Sequence, residues 1–285
     1  MKIDMIYQVK SKLSYFLYKY RRIPRRFISI LRSKPILLKL SHFKIYVQLN
    51  DWAVGMWLAA KRTYEPHVTR AMTAYMRPGG VVVDIGANIG YYTLLAAALV
   101  GTTGKVIAFE PSTENQALLA QSINANNFHN VTVYPYAVSS QRGQVAFAMN
   151  DSNGAMCPNE PLSSARRVET VTLDSMLQDE PCINLIKMDI EGAEGLALAG
   201  MQEIVRRHQP VIFSEFSPLA LRNISGIEPE AYLDQLRALG YILSVVSHDQ
   251  MSVDKPCTNT EIMQKYIDSQ SNHIDIKAEP LGTQV

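Results

Sequence analysis

The chain has 285 residues, 47% hydrophobic and 19% charged, enough to bury a sizeable core and too apolar to be disordered throughout. Its net charge of +2 conceals an asymmetry: residues 1–44 carry twelve Lys or Arg against one acid, Asp4, a local +11 that leaves −9 for the remainder. The basic character is local, and nothing beyond that segment favours a nucleic-acid partner.

The first element is that basic segment. Between Lys10 and Arg32 it interleaves Leu, Phe, Tyr and Ile with positive charge, and Pro24 breaks it in two. Such a pattern suits an interfacial helix on an anionic membrane surface. It suits equally a helix packed on the catalytic domain with a solvated basic face. No apolar run approaches the roughly 18 residues a membrane span needs, and no uninterrupted signal-peptide core is present. A cytoplasmic protein is expected, with peripheral contact to the inner face of the membrane through residues 10–32 as one of the two readings. Cys157, Cys182 and Cys257 are widely spread and lack a C-x-x-C pair, so neither a disulfide framework nor a zinc site is expected.

Phe43–Val47 reads as a preparatory strand, and 65–75 as a helix that ends before Arg77-Pro-Gly-Gly80. Alternating units follow: strand 81–85 with helix 90–100, strand 105–109 with helix 112–126, strand 131–138 with a long connection, and strand 183–189 with helix 192–207. Strand 211–216, helix 228–239 and strand 241–247 continue the pattern. Such alternation is the signature of a doubly wound, parallel sheet. The connection 141–168 is turn-rich and irregular, and an ordinary β-hairpin insertion is the plain reading of it. Residues 248–285 are polar and weakly periodic, so a loosely attached tail is expected.

Two of these strands end in turns that point to a nucleoside ligand. Val81-Val-Val-Asp-Ile-Gly-Ala-Asn-Ile-Gly90 is a buried strand running into a glycine turn, and Val106-Ile-Ala-Phe-Glu110 is a second strand with an acid at its tip. An acid there can accept hydrogen bonds from both ribose hydroxyls. A G-x-G-x-x-G fingerprint begun at Gly86 would need glycine at 88 and 91, where Asn88 and Tyr91 stand, which argues against a pyrophosphate-bearing dinucleotide and a nicotinamide-dependent oxidoreductase.

The spacing D-x-G-x-x-x-G resembles motif I of S-adenosylmethionine-dependent methyltransferases. Lys187-Met-Asp-Ile-Glu-Gly-Ala-Glu194, with Thr172-Leu-Asp174 upstream and Pro210-Val-Ile-Phe-Ser-Glu215 downstream, resembles the FkbM family of methyltransferases over roughly residues 78–247. That resemblance implies a class I methyltransferase, Rossmann-like α/β fold, with S-adenosylmethionine as methyl donor. The sheet is expected to be mostly parallel with an antiparallel C-terminal strand. The resemblance also implies an acceptor hydroxyl on a sugar, glycan or secondary metabolite, with the 141–168 region and the N-terminal segment bordering its pocket. The chain then divides into a basic amphipathic extension, 1–44, a methyltransferase domain, 45–247, and a polar tail, 248–285.

Ligands of open α/β sheets lie outside the carboxyl ends of the strands, which gathers Asp84, Glu110, Asp189 and Glu215 around one crevice. Glu110 is expected at the ribose, Gly86, Asn88 and Gly90 at the methionine end, and Ala137 with Val138 at the adenine. Asp84 either reaches the amino group through water or caps the turn. Asp189 is the first candidate for accepting the hydroxyl proton or fixing the acceptor, Glu191 is the second, and Lys187 is placed to pair with Asp189. Glu194 reads as a first-turn acid favoured by the helix dipole, and Asp174 as a helix cap. Asp189, Glu191 and Glu215 offer hard oxygen ligands, but no cage pattern accompanies them, so independence of metal is expected. An N-P-P-Y or D-P-P-Y motif is lacking after the fourth strand, which disfavours N-methylation of nucleic acid. The non-catalytic alternative is a methyltransferase-like binding protein at a membrane surface.

Overall fold

The computed structural model describes residues 34–158, 166–249 and 254–282. The segment 10–32 and its membrane reading lie outside them. In chain order the elements are β1 (Ile36–Lys39), β2 (Lys44–Val47), α1 (Gly55–Lys61), α2 (Pro66–Thr73), β3 (Val81–Ile85), α3 (Tyr91–Val100), β4 (Lys105–Phe109), α4 (Thr113–Asn126), β5 (Val131–Tyr134) and β6 (Ala137–Val138). Next come β7 (Gly143–Asn150), β8 (Asn153–Met156), β9 (Arg166–Val171), α5 (Leu173–Met176), β10 (Leu185–Met188), α6 (Glu194–Ala199) and α7 (Gln202–His208). The last are β11 (Val211–Phe216), α8 (Pro218–Ile224), α9 (Pro229–Ala238), β12 (Tyr241–Val245), α10 (Asn259–Ser269) and β13 (Ile274–Pro280).

Apolar side chains on both faces of β3 and β4 explain why helices cover the central sheet on two sides. Val82, Val106 and Ala108 enter one core with α2 and α3, whereas Val83, Ile85, Ile107 and Phe109 enter another with α6, α7 and α9. The seven-stranded sheet has the order β12-β13-β11-β10-β3-β4-β5 and is parallel except for β13. From β3 the chain winds outward to β5 and then returns to β10 on the other side, so the switch point falls between β3 and β10. Register matters for the site. Ile85 is level with Phe109 on one side and Met188 on the other, so Gly86, Glu110 and Asp189 leave the sheet side by side.

Several expectations are corrected. The strand expected over 131–138 divides at Pro135, which cannot donate to the ladder, and Ala137–Val138 joins a second sheet of order β6-β9-β7-β8. The irregular connection supplies the β7–β8 hairpin of that sheet. The helix expected over 192–207 breaks at Gly200, where a Cβ would meet Ser139 O at 2.1 Å. Of the loose tail expected over 248–285, the described residues 254–282 are ordered into the fold: α10 starts with a Thr258–Glu261 capping box, and β13 inserts between β11 and β12 as the antiparallel strand. Ile274, Ile276 and Ala278 point into the core, while Lys277 pairs with Glu279 at 2.9 Å and Asp275 with His67 at 2.9 Å. The expected antiparallel C-terminal strand is β13. Asp174 caps a helix, though not its own: Thr172 caps α5, and the Asp174 carboxylate accepts the Ile204 N–H of α7 at 2.9 Å. Among the described residues no helix is long and apolar enough to cross a membrane.

Candidate active site

A cavity of about 490 Å³ opens over the tips of β3, β4, β10 and β11, within the range of small-molecule sites. The β7–β8 hairpin and residues 64–65 wall its outer side.

The turn after β3 has a left-handed backbone at Gly86 (φ 83°), Asn88 (φ 52°) and Gly90 (φ 98°). Gly86 and Ala87 donate to Phe109 O at 2.9 and 3.0 Å, which ties the turn to the β4 tip. Gly86 also faces β10 at a distance only a glycine tolerates, since a Cβ would stand 2.1 Å from Asp189 O. Gly90 meets α4 instead: its Cβ would lie 2.3 Å from Leu119 Cδ1, and Gly90 is not in the cavity wall. Asp84 is not in the wall either. Its buried carboxylate accepts the Thr93 hydroxyl at 2.5 Å and faces Lys187 across the strand pair, and burial raises its pKa. Gly86, Asn88, Glu110 and Ala137 do line the cavity.

Glu110 is held rigidly. Its Oε1 accepts from Ser112 N at 2.8 Å and from Asn115 Nδ2 at 3.3 Å, and its Oε2 accepts from Asn88 N at 2.8 Å. Burial nevertheless pushes its pKa up to about 7. A carboxylate offers about four acceptor positions, so acceptor capacity toward the cavity is left over. Asn88 is fixed in turn, donating from Nδ2 to Asn153 Oδ1 of the hairpin at 3.1 Å.

The opposite end of the cavity is acidic. Asp189 and Glu191 emerge from β10, Glu215 from β11, and Glu65 from the loop before α2. Lys187 Nζ lies 2.8 Å from Asp189 Oδ2, the pairing expected from the sequence, and 4.6 Å from the Tyr92 ring centre. Burial opposes charge on both partners, but Lys187 holds the Asp189 pKa low, and the field of Asp189, Glu65 and Asp84 raises that of Lys187. Burial and the charge of Asp189 push the Glu215 pKa well above the usual carboxylate range, and its carboxyl hydrogen-bonds Asp189. Glu191 sits at φ 56°, is raised by burial and by Asp189, and bonds Asn153. Glu194 lies outside the wall, fully buried, with Oε1 accepting from Ile190 N at 2.9 Å. Among the described residues no three His, Cys, Asp or Glu side chains converge as a metal cage.

Glu65, Tyr64 and Tyr92 escaped the sequence reading. They precede or flank the motif run, and only the packing of α2 and α3 brings them to the β10 tip. Pro66, marking a helix start, was the sole local signal.

This strand order, with its antiparallel β13 and a rigid acid at the second strand tip, defines a class I S-adenosylmethionine-dependent methyltransferase fold. A family model, the methyltransferase FkbM domain, matches residues 84–243, more than half of the chain, and the protein belongs to that family, for which S-adenosylmethionine is the methyl donor. No curated protein matches the sequence. Among solved structures it is similar to a methyltransferase FkbM from Methylobacillus flagellatus KT (17% identity, TM-score 0.44), over 74% of this chain and 50% of that one. The chain therefore spans about half the length of that protein. It is also similar to a SAM-dependent O-methyltransferase from Thermotoga maritima (12% identity, TM-score 0.44, covering 89% and 88%). Aeropyrum pernix fibrillarin, crystallised with natively bound S-adenosyl-L-methionine, is a third (9% identity, TM-score 0.43, covering 86% and 99%).

The residues present fit the donor. Glu110 keeps acceptor capacity for a ribose, the 86–89 turn is pinned open beside it, and apolar Ala137 and Val138 continue the same wall.

Proposed function

We propose that the protein is an S-adenosylmethionine-dependent O-methyltransferase acting on a hydroxyl of a sugar, glycan or secondary metabolite. The observation that carries this reading is the carboxyl-rich end of the cavity, where Glu65, Asp189, Glu191 and Glu215 gather with Lys187, already paired with Asp189, and His273, 3.7 Å from Glu215. Carboxyl groups exchange hydrogen bonds with hydroxyls, and Lys187, already paired with Asp189, is not left over for an anion, so an uncharged polyol suits that end better than a phosphorylated or carboxylated acceptor.

In this reading the bound donor supplies an electrophilic methyl group. Glu110 grips the ribose, Gly86 and Asn88 face the methionine end, and Ala137 borders the adenine. Asp84 and Gly90 act from behind the wall, one bracing Thr93 and Lys187, the other admitting α4 against the turn. Asp189, kept ionised by Lys187, orients the acceptor hydroxyl, with Glu191 beside it. Orientation of this kind supplies much of the acceleration in a displacement reaction. Peripheral attachment of a cytoplasmic enzyme to an anionic membrane through residues 10–32 remains part of the proposal; the basic extension expected over 1–44 is cut back to the residues before β1, because Leu38, Leu40 and Phe43 are buried in the core of the domain. Incubation of extracted glycans with methyl-labelled S-adenosylmethionine tests the reading: wild type should transfer label, and Asp189→Ala and Glu110→Ala should not. Equal labelling by all three would overturn the site assignment.

A further inference from the structure

Glu65 lies outside the matched span 84–243, yet it turns its carboxyl into the wall of the same cavity. Its backbone is left-handed, φ 37° and ψ 69°, immediately before Pro66. A residue preceding proline favours extended backbone, and a non-glycine left-handed residue costs about 1 to 3 kcal/mol, kept only where the surroundings demand it. What the conformation achieves is contact: Tyr92 donates its hydroxyl to Glu65 Oε2 at 2.8 Å. Among the described residues no donor reaches Oε1.

The charged and titratable groups facing Glu65 come from four elements. They are Tyr64 in its own loop, Tyr92 of α3, Lys187 and Asp189 at the β10 tip, and Asp275 of β13, itself bonded to His67. Three of the other carboxyls of the cavity are committed elsewhere, and the fourth, Glu191, bonds Asn153. Asp189 is ion-paired and weakly basic, Glu215 faces Asp189 and the His273 ring, whose Nδ1 is 3.7 Å away, and both Glu110 oxygens take backbone N–H groups.

We infer that Glu65 is the group that receives the acceptor's hydroxyl proton, which rests on the hydroxyl-acceptor reading above. Glu65 takes the proton as the acceptor oxygen forms its bond to the methyl carbon, while the carbon–sulfur bond breaks and its electron pair stays on sulfur. The sulfonium charge is thereby discharged, and the positive charge departs as the proton on Glu65. Burial, followed by the charge of Asp275, lifts the Glu65 pKa to about 8, close to where a general base works best. The base is the ionised form, so the rate rises with pH through about 8 and then levels.

Glu65→Gln keeps an acceptor for Tyr92 and removes the proton acceptor. Three readouts decide its role: S-adenosylhomocysteine affinity by calorimetry, the pH profile of label transfer to extracted glycans, and infrared titration of protonated carboxyl stretches. The expected result is affinity within about twofold of wild type, transfer reduced about 100-fold or more with the alkaline rise abolished, and loss of an acid band that titrates near pH 8. Unchanged transfer with an unchanged pH profile overturns the inference. If wild type labels no extract, the glycan reading fails by itself. The infrared titration then still decides Glu65, and persistence in Glu65→Gln of the band that titrates near pH 8 refutes its role.

Discussion

Lys187 Nζ and Asp189 Oδ2 stand 2.8 Å apart at the tip of β10, two residues along one strand and so on one face of the sheet. The same ammonium faces Asp84 on β3, making it the counter-charge for two carboxylates in a largely buried region. Lys187→Met should destabilise the protein by roughly 3 to 5 kcal/mol, the usual consequence of stripping one partner from a buried pair. Urea denaturation at neutral pH measures it. A loss below about 1 kcal/mol would mean that the pair is solvated.

Donor affinity should depend on pH through Glu110. Its pKa is pushed up to about 7 by burial, and ribose hydroxyls donate to the ionised carboxylate, so binding draws its proton away. Affinity for S-adenosylhomocysteine should rise with pH through 7, falling toward tenfold per unit below it. In Glu110→Gln the dependence should flatten. Calorimetry at pH 6, 7 and 8 resolves the two cases.

Gly86 is required by packing as much as by its turn. Gly86→Ala places a Cβ 2.1 Å from Asp189 O at φ 83°, and should cost about 2 to 4 kcal/mol from conformation and overlap together. The expected outcome is a lower melting temperature with weakened donor binding, because the β3 and β10 tips must part.

The central strands were legible because burial on both faces writes itself as unbroken Val, Ile and Phe runs: β3, β4 and β11 have the bounds expected from sequence. β13 was misread for a physical reason. Its alternate residues Asp275, Lys277 and Glu279 are charged, as in a solvated tail, but their partners His67, Tyr75 and Asp254 come from elsewhere in the chain. Glu110 and Asp189 could be placed from their strand tips. Asp84 and Gly90 share the same motif but face inward, since adjacent residues of a strand or turn need not share a surface. Glu65 depended on the packing of α2, which no local pattern encodes.

Buried Glu194 should make the fold more stable in mild acid than in mild base. Burial raises its pKa to about 7 from an ordinary value of 4.5, so the native state holds a proton that the unfolded chain has released between those values. Its stabilising contribution is complete below pH 4.5 and is lost as pH rises through about 7, with a span of roughly 3 kcal/mol. Glu194→Gln retains an acceptor for Ile190 N and should remove that part of the pH dependence. Denaturation midpoints of the two proteins at pH 5 and pH 8 give the comparison.

The account stands most directly on calorimetric titration of S-adenosylhomocysteine into the wild-type protein and Glu110→Gln at pH 8. One molecule should bind per wild-type chain, and the variant, folded by circular dichroism, should bind at least tenfold more weakly, as expected when a charged hydrogen-bond acceptor is lost. Absence of binding to the wild type, or equal affinity in both proteins, would contradict a nucleoside donor seated over the strand tips.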